Sequence, residues 1–320
     1  MRILLTGKNG QVGAELARFL PRMGVVIAFD RQQLDLSKPD QIRRAIREVR
    51  PQIIVNAAAY TAVDQAETDE AAARTINADA PGILAEEAKK IGAGLVHYST
   101  DYVFDGSKTS PYEENDPPNP LSVYGRTKLA GEQAIRDAGV PHLIFRTAWV
   151  YGTRGRNFLL TILRLATQRE ELKIVHDQAG APTWCREIAR ATTSILERQS
   201  GSDPNSFSLA PATGTYHMTA SGITTWYEFA QAILEEASQA AQDIPWLAAA
   251  TSGRPMIVHR IVPITTTEYP TPARRPAYSV LSNSRLRTLW GFQLPLWRAQ
   301  LHSAFRDEEL STPLSADSCD

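Results

Sequence analysis

Three glycines within seven residues constrain this chain more than any other feature. Gly7, Gly10 and Gly13 stand in the run Thr6-Gly7-Lys8-Asn9-Gly10-Gln11-Val12-Gly13, between the apolar stretch Ile3–Thr6 and an amphipathic stretch over 11–21. This is a G-x-x-G-x-x-G variant of the strand-to-helix turn whose backbone approaches a pyrophosphate closely enough for the helix N-terminus to stabilise its charge. Such turns also occur as plain tight turns, so the surroundings decide. Downstream of the turn the chain has the rhythm of βαβ units. Val25–Asp30, Ile53–Ala57, Gly94–Ser99 and His142–Trp149 read as further strands, and 39–49, 64–92 and 122–138 as helices, with Pro39 and Pro51 as start and stop signals. The pattern predicts an α/β chain with a Rossmann-type doubly wound parallel sheet, which binds ligands at the carboxyl ends of its strands.

Beyond Trp149 the pattern loosens. A helix over 157–170, an extended Lys173–His176, a helix over 186–198, a polar linker at 200–206, a strand Tyr216–Met218 and a helix Thr225–Ala237 predict a smaller, mixed C-terminal lobe, and the Pro-rich stretch 263–276 reads as an extended loop. The expected division is a dinucleotide-binding domain over 1–150, with a segment near 186–225 able to return to it, a substrate-binding lobe over 151–310 and a polar tail over 311–320.

Composition narrows the partners. With 34 Lys plus Arg against 35 Asp plus Glu there is no positive excess to displace counterions from a nucleic acid. No apolar run reaches the roughly 18 residues that span a bilayer, and the first ten residues lack the features of a signal peptide. Two cysteines, Cys185 and Cys319, make neither a disulfide framework nor a metal-ligand set, so a reducing, cytoplasmic setting is expected. His97 and His176 have no partners at metal-ligand spacing and are expected at strand edges.

The chemistry concentrates in two places. Asp30 ends the second strand 17 residues past Gly13, where a carboxylate accepts hydrogen bonds from an adenosine ribose, and Arg31 follows it, able to cover a 2′-phosphate. Together they predict use of NADPH or NADH. Tyr124 and Lys128 are four residues apart on one predicted helix and therefore share a face. They lie downstream of a strand that ends in Tyr98-Ser99-Thr100-Asp101. Reduction of a ketone by a nicotinamide needs a proton for the developing alkoxide. A tyrosine supplies one if a neighbouring cation such as Lys128 lowers its pKa from about 10, while the Thr100 hydroxyl holds the carbonyl oxygen.

The runs GKNGQVG, VNAAAYTAVDQAE from Val55, HYSTDYVFDG from His97, YGRTKLAGE from Tyr124, FRTAWVYG from Phe145, DQAGAPT from Asp177 and YPTPARRPAYSVL from Tyr269 resemble the extended short-chain dehydrogenase/reductase family and, within it, the dTDP-4-dehydrorhamnose reductases. The resemblance covers residues 1 to about 300. It implies NAD(P)H-dependent reduction of the 4-keto group of dTDP-4-dehydro-β-L-rhamnose, the last step in making dTDP-L-rhamnose for cell-surface polysaccharide. It further implies Tyr124 as proton donor, Lys128 on the nicotinamide ribose, and Thr100 with Asp101 at the sugar. Gly7, Gly10, Gln11, Val12, Gly13, Asp30, Arg31, Asp35, Leu36, Ala59, Tyr60, Thr61 and Tyr98 are then expected along the dinucleotide. Trp149 is expected against the sugar nucleotide, and Arg274 and Arg275 at its diphosphate. Some members dimerise through Mg²⁺ held by an acidic residue of the first helix. Glu15 fits that position, but Trp184-Cys185-Arg186 follows the Gly-Ala-Pro-Thr turn, so no metal site is assigned, Glu15 reads more simply as a solvated helix residue, and a homodimer stays open. Another nucleotide-sugar reductase, dehydratase or epimerase of the same fold, or a non-catalytic regulatory subunit, is the alternative.

Overall fold

The computed structural model describes residues 1–199, 207–241 and 244–306; the linker read at 200–206 and the tail at 311–320 lie outside them. From the N-terminus run β1 (Arg2–Thr6), α1 (Gln11–Phe19), β2 (Val25–Phe29), α2 (Pro39–Val49), β3 (Ile53–Asn56), the short α3 (Val63–Ala66) and α4 (Glu70–Arg74), α5 (Ala80–Lys90), β4 (Gly94–Thr100), α6 (Val123–Ala138) and β5 (His142–Thr147). The chain continues through β6 (Val150–Tyr151), α7 (Phe158–Ala166), β7 (Glu171–Val175), β8 (Ala179–Gly180), β9 (Thr183–Trp184), α8 (Cys185–Arg198), β10 (Gly214–His217), β11 (Thr224–Thr225), α9 (Trp226–Gln239), α10 (Pro245–Thr251), β12 (Arg260–Ile264), α11 (Ser284–Trp290) and α12 (Trp297–Arg306).

Six strands form one sheet in the order β10-β5-β4-β3-β1-β2, and every pair in it is parallel. The winding reverses beside β1, with β2 on one flank and β3 on the other, which makes the carboxyl ends of β1 and β3 the topological switch point. Because helices cover both faces, the inner strands carry continuous apolar runs, Ile3–Leu5, Ile53–Val55 and Leu143–Phe145, rather than an alternating pattern. On one face Ile3, Leu5 and Tyr98 pack with Leu16 of α1, Ile188 and Leu196 of α8 and Leu286 of α11. On the other, Leu4, Ile54 and Ile144 pack with Ile42 and Ile46 of α2, Leu84 of α5 and Ile135 of α6. A separate core joins Leu159 and Ile162 of α7, Leu172 of β7, Phe229 and Ile233 of α9 and Leu301 of α12.

The helix that carries Tyr124 and Lys128 has clear signals at both ends. Ser122 Oγ accepts from Gly125 N at 3.1 Å at the start of α6, and Gly139, at φ 65°, ends it in the left-handed conformation that glycine adopts without penalty. The single helix expected over 64–92 is broken. Glu67 leaves the helix to accept from Val123 N at 2.8 Å, Asp69 restarts it by capping Ala72 N, and Thr75–Asp79 form a π-helical turn before α5. The Pro-rich stretch is not extended loop from its start: Pro263 belongs to β12, which pairs with β7 in a two-stranded sheet where a missing N–H is tolerated, and a 3₁₀ turn comes next at Thr266–Glu268. The helix expected over 157–170 stops at Ala166.

Candidate active site

The glycine turn closes on itself at the switch point. Gly7 takes φ 73°, and Gly10 N donates to Gly7 O at 2.9 Å. A Cβ on Gly13 would lie 2.0 Å from Gly7 O, and one on Gly7 would lie 2.8 Å from Ala58 N in the loop after β3. No side-chain oxygen caps the first turn of α1, which leaves its N–H groups for an anion. A turn with no room for a Cβ, opening onto an uncapped helix, fits the pyrophosphate of a dinucleotide. Beside it, Gln11 Oε1 accepts from Asn157 Nδ2 at 2.8 Å, and Val12 packs against both the α8-side core and the separate core.

Just past the end of β2, Asp30 accepts from Gln33 N and Gln32 N at 3.0 and 2.9 Å. Those contacts, the one from Gln33 foremost, hold its carboxyl below the usual range. Lys8, from within the glycine turn, reaches Asp30 Oδ2 at 3.5 Å and Gln33 Oε1 at 2.7 Å, a cation that motif reading passed over. Arg31 is exposed, Asp35 accepts from Ser37 N at 2.9 Å, and Leu36 is buried in the α2-side core. The loop carrying Ala59, Tyr60 and Thr61 is held by Asn77 of the π turn. Tyr60 N donates to Asn77 Oδ1 at 2.9 Å, while Asn77 Nδ2 donates to Tyr60 O at 3.0 Å and to Thr127 Oγ1 at 3.3 Å. Asn77 carries no motif, and only the π turn marks it.

Tyr124 and Lys128 lie one turn apart on α6. Lys128 is 1 % exposed; its Nζ donates to Tyr98 O at 2.6 Å and stands 3.2 Å from His97 Nε2. Burial pushes it down to about 8 against the opposing charge of Glu132. Tyr124 is half-buried, edge-on to the Tyr102 ring. Burial pushes its hydroxyl up to about 12, opposed by a hydrogen bond with Thr100 and reinforced by Asp101. The expected lowering of Tyr124 by Lys128 is therefore absent in the free site: desolvation prevails, and the lysine has itself lost proton affinity. Thr100 Oγ1 donates to Asp101 Oδ1 at 2.9 Å and accepts from Tyr102 N at 3.2 Å. Asp101 is 2 % exposed, and burial pushes its carboxyl up to about 6 against hydrogen bonding from Ser279 and Thr100.

Trp149 adopts φ 49° and stacks on Trp226 at 3.5 Å and 6° between planes, with its ring over Gly180, where a Cβ would come within 2.4 Å. The two arginines part company: Arg274 is exposed, whereas Arg275 Nη2 is engaged by Asp64 Oδ2 at 2.8 Å. Tyr98 turns its ring into the α8-side core and bonds Thr192 Oγ1 at 2.8 Å, so only its carbonyl reaches the site. Glu15 is not a solvated residue: it is 3 % exposed and paired with the fully buried Arg186 at 2.9 Å, a partner that occupies the carboxylate. His176 is exposed at the end of β7, whereas His97 lies in the middle of the sheet rather than at an edge.

Residues 1–310 match the family described as RmlD substrate binding domain. A Burkholderia thailandensis dTDP-4-dehydrorhamnose reductase is 49 % identical over 312 residues, covering 96 % of this chain and 99 % of that one. The Escherichia coli K12 dTDP-4-dehydrorhamnose reductase is 44 % identical over 93 % of this chain and 95 % of its own. Among solved structures, the Bacillus anthracis dTDP-4-dehydrorhamnose reductase in complex with NADP superimposes with a TM-score of 0.83 at 34 % identity, over 96 % of this chain and 99 % of that one.

Proposed function

Since the chain belongs to the RmlD substrate binding domain family, we propose that it reduces the 4-keto group of dTDP-4-dehydro-β-L-rhamnose to dTDP-L-rhamnose with NADPH or NADH, the last step of dTDP-rhamnose synthesis. The observation that carries the reading is the meeting of Tyr124 and Thr100 at the carboxyl end of β4, with Lys128 one turn further along α6. In this reading Gly7, Gly10 and Gly13 hold the pyrophosphate and Asp30, Arg31 and Lys8 receive the adenosine ribose, with Lys128 at the nicotinamide ribose. The bound nicotinamide supplies a hydride to the sugar's carbonyl carbon. The Thr100 hydroxyl orients the carbonyl oxygen, and Tyr124 gives it the phenolic proton as negative charge develops. Trp149 and the exposed Arg274 receive the nucleotide end of the sugar. Arg275 belongs to this reading only through the ion pair by which it fixes the strand of chain around Arg274.

The two cysteines, of which Cys185 is free and buried, support a cytoplasmic setting; among the described residues no helix is long and apolar enough to cross a membrane. A metal-bridged dimer through Glu15 is not part of the reading, because Arg186 holds that carboxylate. The test is incubation of the purified chain with dTDP-4-dehydrorhamnose and NADPH, following absorbance loss and identifying the sugar. Stoichiometric oxidation of cofactor with dTDP-L-rhamnose as product is expected. A new sugar formed without net oxidation would point to an epimerase or dehydratase, and no turnover with either cofactor would overturn the reading.

A further inference from the structure

The last rung of the sheet at the switch point is polar. Thr6, Asn56 and His97 are in-register neighbours on β1, β3 and β4, each 1 % exposed, on the side covered by α6. Thr6 Oγ1 donates to Asn56 Oδ1 at 2.6 Å, Asn56 Nδ2 lies 3.0 Å from His97 Nδ1, and His97 Nε2 lies 3.2 Å from Lys128 Nζ. Polar groups set this deep cost stability unless each is satisfied, and the row ends on one functional group, the Lys128 amine.

The direction of the bonds is set by Asn56. Its Oδ1 accepts from the Thr6 hydroxyl and also from Ala58 N at 3.3 Å, so its amide nitrogen is the atom turned to His97. Nδ1 of His97 is then an acceptor, and a neutral imidazole carries its single hydrogen on Nε2, facing Lys128 Nζ. Burial, with the Lys128 charge beside it, holds His97 well below the usual histidine range, which keeps it neutral. An amine at Lys128 accepts that hydrogen; an ammonium would set N–H against N–H. Of the other charged or titratable groups around the pair, Glu132 lies one turn along α6 and is bridged by Arg146 of β5 at 2.7 Å. Tyr124 lies one turn back along α6 beside Thr100 and Asp101, and among the described residues β1, β3 and the π turn bring the uncharged Thr6, Asn56 and Asn77, while Asp79 of the π turn is exposed and pairs with Arg74.

We propose that His97 is a positioning residue for the reduction: with its tautomer dictated by Asn56 and Thr6, it pins the Lys128 amino group against β4 and weakens its hold on the third proton. This rests on the reading of Tyr124 as proton donor, because a phenolate left by proton transfer to the sugar is refilled most readily beside a lysine that yields its proton.

The test uses the full chain with His97→Gln, whose side-chain carbonyl offers Nζ an acceptor in place of a donor. The alkaline limb of kcat/KM, which reports the free enzyme, is expected to move up by about one pH unit; an unmoved limb overturns the proposal. Thr6→Val, which frees Asn56 to turn over, is expected to move the limb in the same direction by less, and covers the case in which His97→Gln does not fold. Nitrogen-15 spectra of the imidazole in the unliganded wild-type protein are expected to show the neutral Nε2–H tautomer at neutral pH. An Nδ1–H tautomer or an imidazolium would overturn the proposal whether or not the protein turns over the proposed sugar.

Discussion

Tyr124 is loaded with its proton before any sugar arrives, since burial, reinforced by Asp101, carries its hydroxyl up to about 12. Tyr124→Phe is expected to lower kcat by roughly 10²- to 10⁴-fold while cofactor affinity, read by fluorescence titration, stays within about twofold. Asp101 gives a stability prediction with a definite sign. Its carboxyl is raised from 3.8 to about 6, so the stability it contributes is complete below pH 3.8 and lost as pH rises through 6. At pH near 7.5 the buried carboxylate costs on the order of 3 kcal/mol. Asp101→Asn should recover part of this in urea melts at that pH and gain nothing near pH 3.5; an equal gain at both would refute the linkage. In the proposed reading cofactor choice turns on Lys8 as well as Arg31, because the Lys8 ammonium stands beside Asp30. Lys8→Ala is expected to raise KM for NADPH about tenfold and to spare NADH, and Arg31→Ala should act in the same sense. Asp30 and Arg31 are candidates the sequence offers because a strand end and a spacing point to them. Lys8 is not among them, since a residue inside the glycine turn gives no clue to where its side chain goes.

At the scale of elements, α6 is positioned by what it lacks. A Cβ on Gly125 would lie 2.2 Å from Tyr102 O, and one on Gly131 would lie 2.0 Å from Asn77 O, so the helix rests directly on two backbone turns. Gly131→Ala must lift α6 from the π turn, and is expected to cost about 1–3 kcal/mol in denaturant melts. Because Tyr124 and Lys128 ride on that helix, kcat should fall with the stability. Unchanged kcat in a destabilised variant would show that the helix tolerates the shift. The run from Tyr124 to Glu132 announced its chemistry through Tyr and Lys, and its glycines looked incidental until the packing was seen. The π turn had no signal at all, because an i to i+5 pattern over five residues leaves no periodicity to read, and with it Asn77 stayed hidden. The polar rung was equally invisible, since register across strands is a property of the fold and not of any one segment.

For the whole molecule the parallel sheet was readable from its alternation of apolar runs and helical patterns, and the glycine turn located its switch point. The separate core was harder: β6, β8, β9 and β11 have two residues each, too few for any period, and their contacts join segments far apart in sequence. Glu15 and Arg186 tie α1 to α8 through a pair that is almost fully buried, and Arg186→Ala would leave the buried carboxylate facing the more distant Arg18, 3.7 Å away. A loss of about 3–5 kcal/mol in thermal or urea melts is expected, with Arg186→Met milder only if Glu15 takes up a proton. Exhaustive treatment with a chelator should leave both stability and activity where they were; a drop in either would return a metal to Glu15. The stacked indoles of Trp149 and Trp226 join the chain leaving the main sheet to the first residue of α9. Two parallel chromophores this close couple their transitions, so the protein carries its own optical gauge. The indole absorption and fluorescence of the stacked pair should change in Trp226→Phe, and their change on addition of nucleotide sugar would report, without any label, how far the main sheet and the separate core move against each other.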